Sequence, residues 1–213
     1  ILRVTDEYVS RRVTTNYARM KLTIVGHGYV GLVSAAVFAD LGNTVWVIGR
    51  NRKKINALKK GEISIYESGL AEMVKRNVRA DRLRFTLDYA TAIAESSIAF
   101  ICVGTPSMAN GEADLSGVFK VAERIGDHIN RYIVIACKST VPVGTNRKIR
   151  ELLINKLKVG GSYFDVASCP EFLKEGTALV DTLHPDRIVI GYENDKACDL
   201  LLELHKPIDG TRI

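Results

Sequence analysis

Six consecutive residues, Gly26, His27, Gly28, Tyr29, Val30 and Gly31, carry the spacing G-x-G-x-x-G. Glycines so spaced suit a chain that must turn sharply, lie bare against a pyrophosphate, and pack a helix closely on a strand. The run before them, Leu22 to Val25, is apolar and largely β-branched, and the run after them is rich in small apolar residues. That strand-to-helix context is what the spacing needs to act as a dinucleotide-binding turn. A helix starting there offers unpaired N–H groups and partial positive charge to phosphates, which places Tyr29 and Val30 beside the three glycines as candidate cofactor contacts. The alternatives are a glycine-rich turn without a ligand and, for Tyr29, an aromatic that only caps the helix.

A second signal lies where the next strand should end. A dinucleotide-binding segment usually finishes there on an acid that accepts hydrogen bonds from the adenosine ribose. This chain has Gly49, Arg50 and Asn51 instead. Gly49 removes the charge that would repel a 2′-phosphate and is expected to leave space for one, while Arg50 adds a planar cation suited to phosphate. NAD or NADP is therefore the expected cofactor. The plainer reading is a solvated arginine in an NAD-preferring protein, with Asn51 taking the ribose contact.

Cys102, Cys137, Cys169 and Cys198 form no C-x-x-C pair and stand roughly thirty residues apart. They read as reduced, partly buried thiols of a cytoplasmic protein, with no metal site expected. The net charge of +6 is scattered, without the interleaved aromatics of a nucleic-acid surface, so no nucleic acid is expected as a partner and an anionic small molecule accounts for the excess. No window has the ~18 apolar residues of a membrane span.

These residues need a scaffold, and the chain supplies an alternation. Strands are expected at Leu22 to Val25, Thr44 to Ile48, Ile98 to Val103, Ile133 to Cys137, Phe164 to Ala167 and Arg187 to Ile190. Helices are expected at Val30 to Leu41, Arg52 to Lys60, Leu70 to Asn77, Tyr89 to Glu95, Leu115 to Asn130, Asn146 to Leu157 and Asp195 to His205. Strand and helix in turn predict an α/β fold, a doubly wound, Rossmann-like parallel sheet with helices on both faces and ligands at its carboxyl edge. The expected organisation is a loosely ordered extension over 1–19, a dinucleotide-binding domain over 20–194, and, over 195–213, the start of a helix leading to a further domain. The 213 residues, 46% hydrophobic and 25% charged, suffice for one such core.

Further stretches narrow the reading: "IYESGL" from Ile65, "FICVGTPS" from Phe100, "GEADLSGV" from Gly111, "KSTVPVGT" from Lys138, "CPEFLKEG" from Cys169 and "HPDRIVIG" from His184. Together with "GHGYVGL" they resemble the UDP-glucose 6-dehydrogenase branch of the UDP-glucose/GDP-mannose dehydrogenase family, over roughly Met20 to Gly191. The resemblance implies oxidation of the sugar C6 alcohol of a UDP-sugar to a carboxylate, with two dinucleotides reduced in turn. It implies that Thr140 positions the active-site water beside the cofactor and that Glu175 handles the water that hydrolyses a thioester. Glu171, Phe172, Leu173 and Lys174 would line the sugar side, and Thr105 and Pro106 would lie beside the nicotinamide part of the cofactor. Were the Glu171 to Glu175 segment helical, both carboxylates would share one face. Thr140 could instead be a strand-end hydroxyl bonded to nearby backbone.

Three residues depart from the family pattern: Cys169 stands at an asparagine position, Ser68 at a common proline, and Gly49 at the acid. The family's nucleophile, a cysteine in a "GxCxxKD"-like stretch, is not among these 213 residues, and Cys169 lacks that context. The chain is thus expected to bind cofactor without completing the oxidation, to expose an apolar face, and to belong to a homodimer or higher oligomer. GDP-mannose or a UDP-N-acetylhexosamine as substrate, and a non-catalytic dinucleotide-binding module, are the alternatives.

Overall fold

The computed structural model describes residues 19–157 and 163–213. The expected extension over 1–19 lies outside them except for Arg19. Six strands form one parallel sheet: β1 (Lys21–Val25), β2 (Thr44–Ile48), β3 (Leu83–Thr86), β4 (Ile98–Ile101), β5 (Ile133–Cys137) and β6 (Phe164–Ser168), in the order β3-β2-β1-β4-β5-β6. The chain winds outward from β1 to β3, then crosses back to β4 on the other side of β1. A crevice therefore opens between the loops after β1 and β4, at the carboxyl edge.

Both faces of the sheet are covered, so its strands read as nearly continuous apolar runs. Leu22, Ile24, Ile98, Phe100, Val134 and Ala136 point to one core, shared with α1 (Tyr29–Asp40), α3 (Leu70–Arg79), α7 (Ala178–Leu183) and α8 (Asp195–His205). Val25, Ala99, Ile101, Ile133, Ile135 and Cys137 point to the other, shared with α4 (Tyr89–Glu95), α5 (Ser116–Gly126) and α6 (Thr145–Leu157). The remaining helix, α2 (Arg52–Lys59), is capped by the Asn51 side chain, which accepts from the Lys54 N–H. One polar residue of β1 faces the second core: Thr23, wholly buried, has its hydroxyl within hydrogen-bond reach of the Ala92 carbonyl at 3.0 Å and the Ser96 hydroxyl at 2.8 Å.

Several elements depart from the sequence expectation, among them α7, which it did not include. β3 was not expected: it is a four-residue edge strand in which only Leu83 and Phe85 are buried, between charged residues. The run from Arg187 yields only β7 (Arg187–Ile188), which pairs with β8 (Thr211–Arg212) apart from the main sheet. The helix expected over Asp195 to His205 forms over those residues, ends short of Pro207, and buries Ala197, Leu201 and Leu204 in the core.

Candidate functional site

The three glycines of the turn have different physical reasons. Gly26 lies at φ +118°, and a Cβ there would run into the Cys102 carbonyl, 2.7 Å from its carbon. A Cβ on Gly31 would strike the Gly26 carbonyl. Both positions are closed by the protein itself, through the approach of the turn to β4 and of α1 to the turn. Gly28 differs: its φ of −71° suits any residue, and a Cβ there would have no atom within 4 Å. Only something outside the described chain would require glycine at this position.

Gly28 is also the N-cap of α1, with no side-chain cap and no acidic residue in the first turn. The amino-terminal N–H groups around Tyr29, Val30 and Gly31 are therefore left to an anion, at the switch point of the sheet. This is the arrangement a dinucleotide pyrophosphate fits.

Backbone bonds fix the neighbouring loops at the same edge. Gly26 N–H donates to the Ile48 carbonyl at 2.9 Å, Gly49 N–H to Thr86 at 3.1 Å, and Cys102 N–H to Val25 at 2.9 Å. The Thr105 hydroxyl donates to the Thr140 carbonyl at 2.9 Å, and the Ser139 hydroxyl to the Val103 carbonyl at 2.7 Å, which ties the loops after β4 and β5 together. Pro106 and Thr140 are exposed, and the Thr140 hydroxyl makes no hydrogen bond among the described residues, so it is not spent on local backbone.

Gly49 does not leave the space expected of it. A Cβ there would meet the His27 ring and lie 2.6 Å from Ile55 Cδ1, so the position is packed. Arg50 is exposed and, among the described residues, has no ion pair or hydrogen bond. Asn51 uses one lone pair of its side-chain oxygen as the α2 cap.

The loop after β6 is irregular from Cys169 to Lys174, so Glu171 and Glu175 do not share a helical face. Instead the Glu171 carboxylate accepts from the Leu173 N–H at 2.6 Å, a local bond that competes with helix. Phe172 is 53% exposed beneath the Arg187 guanidinium, 5.1 Å from its ring centre. Leu173 packs on the core, the Lys174 N–H donates to Asp181 at 3.0 Å, and Glu175 is exposed.

Tyr29 differs from both sequence readings. Its hydroxyl donates to the Glu67 carboxylate and accepts from the Gly176 N–H at 2.9 Å. Burial, followed by the Glu67 hydrogen bond, pushes this hydroxyl above its ordinary value, so it keeps its proton and donates. What Tyr29 can offer a phosphate is its backbone. Glu67, only 5% exposed, also accepts from the Gly176 N–H at 2.9 Å and the Leu179 N–H at 3.4 Å. It joins the phosphate turn to the loop bearing Glu171 and Glu175. Sequence reasoning passed over Glu67; its one signal was an acid inside the otherwise apolar and small "IYESGL".

Comparison with known proteins agrees with this geometry. Residues 20–209 match the model of the UDP-glucose/GDP-mannose dehydrogenase family, NAD binding domain. The chain is 48% identical over 193 residues to the UDP-glucose 6-dehydrogenase TuaD of Bacillus subtilis, covering 91% of this chain and 42% of that protein. It is 45% identical over 192 residues to the UDP-glucose 6-dehydrogenase of Rhizobium meliloti, covering 89% and 44%. Among solved structures it is similar to a UDP-glucose dehydrogenase from Pyrobaculum islandicum, with TM-score 0.88, 38% identity and coverage of 93% and 46%. A GDP-mannose dehydrogenase from Pseudomonas aeruginosa, in a ternary complex, gives TM-score 0.88 at 34% identity, with coverage of 91% and 46%. The chain thus spans less than half the length of these relatives. On the match across 20–209 and the turn at Gly26 to Gly31, the chain belongs to the UDP-glucose/GDP-mannose dehydrogenase family and is its NAD-binding domain.

Proposed function

We propose that this chain is the cofactor-binding half of a dehydrogenase that oxidises UDP-glucose to UDP-glucuronate. The observation that carries the reading is the bare surface at Gly28 under the uncapped start of α1. A nicotinamide dinucleotide bound there supplies the hydride acceptor. The protein's own groups along the edge would do the rest of this half's work. The free Thr140 hydroxyl can hold a water, the exposed Glu175 carboxylate can take a proton from it, and Glu171 shapes the Phe172 to Lys174 backbone that would meet the sugar nucleotide.

Relatives named UDP-glucose 6-dehydrogenases favour UDP-glucose over GDP-mannose or a UDP-N-acetylhexosamine. Tyr66, Phe172 and Val180 stand exposed on segments that Glu67 ties together, which suits a surface covered by a second domain. The reading carries with it a cytoplasmic protein that works as a homodimer or higher oligomer. Among the described residues no helix is long and apolar enough to cross a membrane.

Calorimetric titration of the purified chain should show NAD or NADP binding, and a coupled assay with UDP-glucose should show no turnover. Steady-state oxidation by this chain would overturn the division of catalytic groups between two halves. Failure to bind either cofactor would overturn the reading itself.

Within that reading, Arg50 sets the choice of cofactor and admits NADP. The support is a guanidinium that is exposed at the end of β2 and has no partner among the described residues, followed by Arg52 and Lys53, where an acid would repel a 2′-phosphate. A charge-assisted hydrogen bond contributes about 1.5–3 kcal/mol, so Arg50→Ala should weaken NADP about tenfold or more and change NAD little. Paired titrations of both cofactors against both proteins decide it. Equal losses, or a parent that binds NAD alone, would remove this role.

A further inference from the structure

Beneath the loop after β6 lies a cavity of about 230 Å³, lined by the less buried Glu171, Asp181, His184, Asp186 and Arg187 and by four buried polar side chains that the proposed oxidation does not use: Ser34, Lys138, Cys169 and His205. Ser34 is wholly buried on α1, and its hydroxyl has no hydrogen-bond partner among the described residues. Lys138, 8% exposed at the end of β5, has no carboxylate partner among the described residues. Its ammonium reaches only the Cys169 carbonyl at 3.4 Å, the Cys169 sulfur at 4.0 Å and the Phe100 ring at 6.0 Å.

A buried ammonium so placed calls for an anion. The ionisable group nearest to hand is the Cys169 thiol, 1% exposed. Its sulfur also lies 3.9 Å from His205 Nε2. The other ring nitrogen, Nδ1, is 2.7 Å from the Leu201 carbonyl, which can only accept, so Nδ1 carries the hydrogen. In the neutral ring Nε2 is then bare and can take the thiol proton. Burial pushes this thiol up, but Lys138 and His205 together outweigh it and hold it at about 7. Burial pushes the Cys102 thiol up to about 12, the attraction of Lys138 notwithstanding, and pushes Cys137 up to about 11.

We propose that Cys169 is a modification site at which hydrogen peroxide entering this cavity oxidises the thiolate to a sulfenic acid, assisted by Lys138, His205 and Ser34. The thiolate sulfur attacks one peroxide oxygen, the S–O bond forms as the O–O bond breaks, and sulfur gives up two electrons. The hydroxide that leaves takes the proton held on His205 Nε2 and departs as water. The Lys138 ammonium and the Ser34 hydroxyl are donors for the oxygen of the sulfenic acid. The site adjoins Pro170 and Glu171, so the added oxygen falls under the loop that this reading assigns to the sugar nucleotide. The chemistry itself does not depend on that assignment.

The test is a competition among the four cysteines of the folded chain. Substoichiometric hydrogen peroxide is added at pH 7 with a 1,3-diketone sulfenate trap, and peptide mass spectrometry reads the adduct at each cysteine. The adduct is expected on Cys169 at least tenfold above Cys102 and Cys137, and above the more exposed Cys198. The Cys169 rate should rise with pH through about 7 and level off above it, because the thiolate is the nucleophile. His205→Phe and Lys138→Met should each move that midpoint upward, with circular dichroism confirming that they fold. Trapping at Cys198 first, labelling of Cys169 only in urea, or a Cys169 rate still rising above pH 9 would overturn the proposal. None of these outcomes depends on the chain oxidising UDP-glucose.

Discussion

Gly28→Val is expected to abolish dinucleotide binding in a protein that still folds, whereas Gly26→Ala and Gly31→Ala are expected to damage the fold itself. At Gly28 the backbone angles are ordinary and the space around a Cβ is open, so the cost to the free protein is that of a poorer helix cap, about 1 kcal/mol. The isopropyl group instead occupies the place where backbone must meet pyrophosphate. Affinity should fall below detection in a titration that reaches about 1 mM cofactor, a loss of more than about 4 kcal/mol if the parent binds near 1 μM. At Gly26 and Gly31 the added carbon meets backbone carbonyls, which cannot move without displacing the turn from Cys102 or α1 from the turn. Urea unfolding followed by circular dichroism separates the two classes. Parental cofactor affinity in Gly28→Val would mean that the open surface is not where the pyrophosphate lies, and would remove the observation on which the proposed function rests.

The contrast also shows which parts of the site were legible in the sequence. Spacing and context located the turn, because a strand, a tight glycine turn and a helix of small residues each leave a local pattern. The packing of Gly49 left none. Its closeness to His27 and Ile55 arises from β2 and α2 folding over the turn, so the absence of an acid there reads in the structure as filled space rather than vacated space. Arg50 keeps its candidacy because it points at nothing among the described residues, a fact that a sequence cannot contain. The shared helical face weighed for Glu171 and Glu175 does not form, because the Glu171 carboxylate bonds the backbone of its own loop. The edge strand β3 and the six-residue α7 are too short for their periodicity to stand out from charged and polar neighbours.

Glu67 is the residue whose importance is carried wholly by distance along the chain. Its carboxylate gathers the Tyr29 hydroxyl from the phosphate turn and the Gly176 and Leu179 N–H groups from beyond β6, partners 38, 109 and 112 residues away. Glu67→Ala should therefore destabilise the fold and weaken cofactor binding together. After the substitution the Gly176 N–H retains the Tyr29 oxygen, so the groups left without an acceptor are the Leu179 N–H, where Leu179 is buried, and the Tyr29 O–H. Two such groups cost about 1–3 kcal/mol each, and a net loss of about 3 kcal/mol is expected. With a urea slope of roughly 2 kcal/mol per molar, the unfolding midpoint should drop by about 1.5 M. Glu67→Gln should fall between, since its carboxamide offers one oxygen to two chain segments and sets its NH₂ against a donor. Cofactor affinity should follow, because Tyr29 occupies the first position of α1, where the phosphate is to bind, and its hydroxyl loses the Glu67 carboxylate that anchors it. A parental midpoint in Glu67→Ala would mean that water replaces the carboxylate without loss. A lowered midpoint with parental affinity would mean that the phosphate turn holds its shape without the tie to the Glu175 loop.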